Sequence, residues 1–321
     1  MRSLLHADRG LGGKPPSDRG EHEPSSLVGT SLDYALWPAL VIVPVALACW
    51  LLDTREIPAI AVSPVVVLGF TAVAVLLERV RPEREGHSKP DLPLWMEAAH
   101  FVFSFELGYG LSMLVCSALA LGLRRALPIP SWPTSSWPMP IQVLVAVLVY
   151  EGTSYWQHRL IHRVPWFWRF HALHHSGERL NFARCVRFHA VDIGTASFVA
   201  YVPLVLLDAS DRLFTIMGVM LSALGILQHA NIRMRTPRWL DRLVCTPAVH
   251  RFHHSRVFAE QDKNFGNTVM TFDMLFGTYL APRCKSGPSE MGLDDDEVPR
   301  ASIVAQITKP FRRAAANEAR R

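Results

Sequence analysis

The amino-acid sequence predicts an all-α, multi-pass membrane protein with a histidine-rich helical cap on the cytoplasmic side. Half of the 321 residues are hydrophobic and only 19% are charged, below the quarter that is usual in soluble domains. The hydrophobic residues lie in long uninterrupted runs, as membrane spans require. Ten of the fourteen histidines fall between positions 158 and 254, and this clustering indicates a metal site.

Four apolar runs are predicted to cross the membrane. Residues 35–52 and 57–77 contain no charge, and each is long enough to cross a hydrocarbon core of about 30 Å. Residues 101–123 contain one charge, Glu106, and the fourth span begins at position 141. Four spans place the two ends of this region on the same side of the membrane.

Two shorter apolar runs follow, at 193–207 and 213–227. They predict a hairpin that dips into the membrane, or two short tilted spans. The N-terminal tail and the second loop each contain four Lys or Arg residues, whereas the first loop has one and the third has two. Because basic loops stay on the cytoplasmic side, we expect both termini and the histidine cap to be cytoplasmic.

The chain is predicted to divide into four segments. Residues 1–32 form a disordered tail rich in Gly, Pro, Ser and charge, without an evident signal peptide. Residues 33–140 contain transmembrane spans, residues 141–283 form the histidine-box catalytic domain, and residues 284–321 form a polar and basic tail. The five cysteines include no CxxC pair, which argues against a zinc finger. The net charge of +5 comes from residues that flank apolar runs, so no nucleic-acid partner is predicted.

The fourth span ends in a polar stripe. Glu151, Tyr155, His158 and His162 are spaced four, three and four residues apart, so they share one helical face. Two histidines at i and i+4 can bind one metal ion. A helix end that meets lipid headgroups explains this pair equally well, so the pair alone leaves both interpretations open.

Two histidine trios favour the metal interpretation over a low-complexity metal-storage tract. The motifs HALHH and HRFHH have the same spacing and contain His171, His174, His175, His250, His253 and His254. Together with His158 and His162 they supply eight imidazoles, whereas one zinc ion needs three or four protein ligands. We therefore predict a dinuclear centre with these eight histidines as its catalytic ligands.

Two further histidines are candidates. His229 follows the apolar hairpin and is predicted to be a ligand, whereas for His189 the choice between a ligand and another role stays open. Imidazole ligands also need partners that orient them through their second nitrogen. The candidates for this role are Glu151, Tyr155, Asp192, Asn231, Asp262, Asn264 and Asp273.

The order HRLIH, HALHH, QHAN and HRFHH resembles the fatty acid hydroxylase and sterol desaturase superfamily of membrane di-iron oxygenases. The segments DKNFG and DMLFGTY that follow are also similar, although Phe265 stands where the family has Tyr. Ala190 replaces a Pro that follows the position of His189 in some members. The similarity covers roughly residues 140–282. The stretch HHSGERLNFARCVRFHAVD is most similar to bacterial sterol-desaturase-like members, and somewhat to the alkylglycerol monooxygenase branch.

The resemblance implies that the box histidines hold two irons, for which zinc can substitute in a purified sample. It also implies O2 as co-substrate and the hydroxylation or desaturation of a lipid, such as a sterol or fatty acyl chain, at the membrane. The sequence contains no flavin, nicotinamide or haem motif. We therefore predict a separate electron donor, of the ferredoxin or cytochrome b5 type.

Two alternatives remain open. A zinc-dependent membrane hydrolase would use three or four ligands and no oxygen. A metal-binding or metal-transport protein would place polar residues along several spans, whereas residues 35–52 and 57–77 carry no charge. That absence makes transport the less favoured of the two.

Overall fold

The computed structural model describes residues 27–132, 136–179, 181–284, 286–293, 298 and 302–312. The described residues form helices and loops and contain no β-strand, which confirms the all-α prediction. Much of the predicted N-terminal tail, residues 1–26, lies outside this description, and so do 285, 294–297, 299–301 and 313–321 of the predicted C-terminal tail.

Thirteen α-helices lie in the described residues. They are α1 (Leu27–Thr54), α2 (Ala59–Val80), α3 (Leu94–Ala99), α4 (Leu107–Ala126), α5 (Met139–Arg163), α6 (Pro165–His175), α7 (Ala190–Leu206), α8 (Asp211–His229), α9 (Arg238–Leu243), α10 (Pro247–His253), α11 (Phe258–Gln261), α12 (Thr271–Leu275) and α13 (Ile303–Thr308).

Four described helices are long and apolar enough to cross a membrane, so the chain is an integral membrane protein. They are Ser31–Thr54, Ala59–Val80, Leu94–Ala126 and Asp211–His229. The first three coincide with the first three predicted spans. The third combines α3 and α4 through a seven-residue π-helix, His100–Glu106.

The fourth of these helices differs from the prediction. The sequence places the fourth span at α5, but α5 is apolar only in its first half and becomes polar from Glu151 onward. The fourth helix of sufficient length and apolarity is α8, for which the sequence left open a membrane hairpin or a short tilted span. It is longer than the apolar run because Ser210 caps its N-terminus, where the hydroxyl accepts the N–H of Leu213 at 3.3 Å.

Helices α4 and α7 pack closely through small residues. Gly108, Ser112, Cys116 and Ala120 are buried and recur every four residues along α4. Glycine is required at the first position, because a Cβ on Gly108 would lie 2.6 Å from the carbonyl oxygen of Ala190. Small residues allow helix backbones to approach, which stabilises helix pairs in membranes. This contact positions α7, which begins beside the histidine cap.

The cap is fixed to the spans by a buried carboxylate. Glu78, at the end of α2, accepts the backbone N–H groups of Phe182 and Asn231, both at 2.8 Å. The C-terminal residues 302–312 also pack on the cap. There the carbonyl of Ile307 accepts from His189 at 3.1 Å.

We predict that Gly108→Ala lowers the melting temperature of the detergent-solubilised protein, because its methyl group would push α4 away from the backbone of α7. Overpacking of this kind costs about 1–3 kcal/mol. Gly110→Ala is the matched control, since a Cβ at Gly110 meets no atom within 4 Å. Equal melting temperatures for the two variants would contradict the proposed packing.

Candidate metal centre

The histidines in the cap converge into two groups. Within each group, one nitrogen per ring lies within 4.8 Å of the others. Group one consists of His158, His162, His171, His175 and His253. Group two consists of His174, His229, His250 and His254. Nine of the ten histidines proposed from the sequence are thus brought together.

Helix geometry explains how each trio is divided between the groups. Residues four apart share a helical face, whereas consecutive residues point about 100° apart. His171 and His175 therefore reach group one from α6, while His174 reaches group two. At α10 the division is reversed, because the pair four residues apart, His250 and His254, belongs to group two.

Hydrogen bonds at Nδ1 orient several rings. Three Nδ1 atoms donate to a backbone carbonyl at 2.8 Å: His158 to Phe265, His253 to Lys263 and His229 to Gly225. Because a carbonyl can only accept, the proton of a neutral ring must lie on Nδ1. The Nε2 lone pair of each ring is then free to bind a metal ion.

One ligand is oriented by a carboxylate instead. Nδ1 of His171 donates to Oδ2 of Asp192 at 2.9 Å, and both side chains are buried. Such carboxylate–histidine pairs hold the ring in place and increase its basicity toward a metal. Asp192 lies in the first turn of α7, so the packing of α4 on α7 also positions this ligand.

The crowding of nitrogen atoms in group two is typical of a cation-binding site. Nε2 of His229 lies 3.1 Å from Nε2 of His250, 3.2 Å from that of His254 and 3.3 Å from that of His174. One Nε2 atom cannot make three hydrogen bonds to three other imidazole nitrogens. Nitrogens about 2.1 Å from one metal ion are separated by roughly these distances. The donor set therefore fits a metal ion.

Burial keeps several of the imidazoles neutral. Eight of the nine rings are buried, and His162 is partly buried. Burial, followed by the neighbouring imidazoles, holds the pKa values of His174, His175 and His254 well below the usual histidine value. Because histidine binds metal only when it is neutral, these rings have the charge state that metal binding requires at neutral pH.

Aromatic side chains cover both groups. Phe265 contacts His162, with ring centroids 5.3 Å apart. Trp168 lies 5.0 Å from the same ring. Phe188 stacks on His174 at 4.1 Å. Neither Trp168 nor Phe188 was predicted from the sequence, although the aromatic run WFWRF immediately before HALHH was a signal for the first.

His189 belongs to neither group. Its Nδ1 accepts the backbone N–H of Val191 at 3.1 Å, so the side chain caps the N-terminus of α7. Its Nε2 donates to the carbonyl of Ile307. With both nitrogens occupied in this way, His189 connects α7 to the C-terminal residues and does not face the metal groups.

Two acidic candidates act on the backbone that supports the ligands. Glu151 accepts the N–H groups of Asn267 at 2.8 Å and Thr268 at 2.7 Å. Asp273 accepts the N–H groups of Phe265 at 2.9 Å and Gly266 at 2.7 Å. The loop that they hold carries the carbonyl acceptor of His158. These acids therefore position a ligand through the loop, without touching its ring.

The other outer candidates also bind cap loops. Tyr155 shares a hydrogen bond of 2.8 Å with the Thr278 hydroxyl. Asp262 accepts from Arg163 at 3.0 Å. The side-chain amide of Asn264 donates hydrogen bonds to the carbonyls of Val249 and Leu280. The side-chain amide of Asn231 donates to the carbonyl of Arg84 and to the hydroxyl of Ser88. Among the predicted outer residues, only Asp192 forms a described hydrogen bond with an imidazole of the two groups.

The fatty acid hydroxylase family model matches residues 143–278, which include all nine grouped histidines. Ornithine lipid hydroxylase OlsE from Rhizobium tropici is 33% identical over 259 residues, covering 79% of this chain and 77% of that protein. No solved structure matches the chain.

Two more distant relatives match less of the chain. Human alkylglycerol monooxygenase is 30% identical over 145 residues, covering 45% of this chain and 32% of that enzyme. The Delta(7)-sterol 5(6)-desaturase ERG3B of Gibberella zeae is 27% identical over 153 residues, covering 48% of this chain and 46% of that enzyme. With the family model and the extended similarity to OlsE, the chain belongs to the fatty acid hydroxylase and sterol desaturase superfamily.

Proposed function

We propose that the protein is a di-iron monooxygenase that hydroxylates a membrane lipid. The observation that carries this proposal is the pair of buried imidazole groups beside the ends of membrane helices. The relatives are named as lipid hydroxylases, monooxygenases and desaturases, which supports lipid oxidation. Because OlsE aligns with the largest share of the chain among these three, an ornithine lipid is the substrate that we propose first.

The histidines would hold the two irons, which supply the O2 activation that attack on an unactivated C–H bond requires. The protein contributes position and a water-poor environment. Phe188 and Phe265 cover imidazoles of groups two and one, respectively. Asp192 and the carbonyl of Phe265 keep the rings of His171 and His158 oriented toward the centre.

The aromatic contacts support access of the lipid from the bilayer. Phe105 lies in the π-helix of the third membrane helix, and its ring is 6.1 Å from that of Phe188. Phe188 in turn stacks on His174. A continuous apolar contact therefore runs from a membrane helix to a ligand of group two. Since π-helices are frequent at functional sites, we propose that the lipid chain lies along this row of rings.

The electron donor and the orientation are parts of the same proposal. A separate protein of the ferredoxin or cytochrome b5 type would supply electrons, since the sequence contains no motif for a redox cofactor of its own. The distribution of basic residues supports a cytoplasmic position for the cap and both termini. Residues 141–283 would form the catalytic domain. This range is close to residues 143–278, which the family model covers.

A zinc-dependent hydrolase is less well supported. A catalytic zinc ion usually has three protein ligands and keeps one position open. Nine imidazoles in two adjacent groups exceed this need and favour two ions. The metal content of the native protein separates the two proposals.

We expect the protein purified from its native membrane to contain about two irons per chain, because each imidazole group has enough ligands for one ion. Inductively coupled plasma mass spectrometry on the detergent-solubilised protein measures this number. The sample must be prepared without added zinc, which also binds imidazole. One zinc per chain as the only metal would contradict the di-iron proposal and favour the hydrolase.

Substitution of one ligand in either group should stop lipid oxidation. We expect His253→Ala and His174→Ala to lower lipid oxidation by at least about 100-fold and to reduce the iron content. His189→Gln is the matched control and should keep both properties, because His189 lies outside the two groups.

The assay follows lipids of a membrane that contains ornithine lipid. Mass spectrometry distinguishes hydroxylation, which adds one oxygen atom, from desaturation, which removes two hydrogens. Full oxidation by either alanine variant would remove that histidine from the centre. Oxidation of another lipid class by the unsubstituted protein would replace ornithine lipid as the substrate.

A further inference from the structure

The two imidazole groups have neighbouring side chains of opposite charge. In group one, the ring of His171 donates to the carboxylate of Asp192. In group two, Nη2 of Arg184 lies 3.1 Å from Nδ1 of His254. Because guanidinium is only a donor, Nδ1 of His254 must accept in this contact. A negative charge supports a ligand of group one, whereas a positive charge opposes cation binding at group two.

The contact with Arg184 also affects the tautomer of His254. A neutral imidazole has one proton, so a ring that accepts at Nδ1 carries its proton on Nε2. Nε2 of His254 lies 3.2 Å from Nε2 of His229 and 3.0 Å from Nε2 of His250. His254 can therefore bind a metal through a free Nε2 lone pair only when Arg184 gives up this hydrogen bond.

Arg184 has an alternative partner nearby. Its guanidinium is buried and forms no ion pair among the described residues. Its Nε atom is buried without a hydrogen-bond partner in the described part of the chain. Oδ2 of Asp91 also has no hydrogen-bond partner there, although Nη1 of Arg187 forms an ion pair with it at 3.6 Å. A Cβ on Gly177 would lie 2.6 Å from that Nε and 2.9 Å from that Oδ2. Both atoms thus border the space that the missing side chain of Gly177 leaves open.

We propose that Arg184 makes the two metal positions unequal, so that group two binds its ion more weakly and fills after group one. Filling of group two moves the guanidinium from His254 toward Asp91. Arg184, Asp91 and Asp192 are positioning residues in this scheme, since they act through the ligands. The inference rests on the two-metal centre of the proposed function.

The test is a titration of the metal-free, full-length protein in detergent with Co2+, followed by visible absorption and by the amount of bound metal. The unsubstituted protein should show two classes of site, the tighter one filling first. Arg184→Met should tighten the weaker class by about tenfold or more and leave the tighter class unchanged. Arg184→Lys keeps the charge and should retain the weak class.

Two further variants separate this role from a purely structural one. Asp91→Asn removes the charged alternative partner of Arg184 and should weaken the second class further, opposite to Arg184→Met. Asp192→Asn should weaken the first class about 10–100-fold. A structural defect would change the Co2+ affinity of both classes of site in the same direction in all variants. If Arg184→Met does not fold, Arg184→Gln provides the neutral side chain.

The outcomes distinguish the two proposals. Equal affinities in the unsubstituted protein, or an unchanged ratio of affinities after Arg184 is neutralised, would overturn the role of Arg184 and leave the two-metal centre intact. Binding of only one Co2+ per chain would overturn the two-metal centre itself, and the role of Arg184 with it.

Discussion

The structure depends on the orientation of nine imidazole nitrogens toward two small buried volumes. Lone pairs that point at one another in a water-poor environment repel, and bound cations remove that repulsion. The cap holds the rings in this arrangement through their second nitrogens, as the bonds from His158 to Phe265 and from His171 to Asp192 show. These acceptors must themselves be fixed, so the requirement extends beyond the ligands into the surrounding loops.

Buried carboxylates provide much of this outer support. Glu151 and Asp273 both accept backbone N–H groups of residues 265–268, and Glu78 does the same for Phe182 and Asn231. Glu78 lies at the end of α2, one of the four membrane helices, and Glu151 lies on α5. A buried carboxylate that binds several N–H groups is satisfied without an ion pair. The membrane helices and the cap are thereby joined into one unit, and a displacement of a helix end would be transmitted to the imidazoles.

The sequence predicts the helical class and the grouped histidines because periodicity and residue type carry that information directly. It assigns the fourth span to α5, whereas the fourth described helix of sufficient length and apolarity is α8, because the apolar run at the start of α5 is followed by a polar stripe that serves the cap. The role of His189 could not be decided either, because its partner Ile307 is far away in the chain. The same holds for Arg184 and Phe188, whose contacts with His254 and His174 arise only from folding.

The spacing of the trios explains why the centre has two groups. A helix directs neighbouring side chains about 100° apart, so His174 and His175 cannot both turn toward one ion. Each trio must therefore contribute to both groups, as α6 and α10 do in opposite proportions. Neither group is complete without both helices, and α5 and α8 add ligands to one group each. The cap consequently assembles as a single cooperative unit, in which misplacing α6 or α10 removes ligands from both metal positions together.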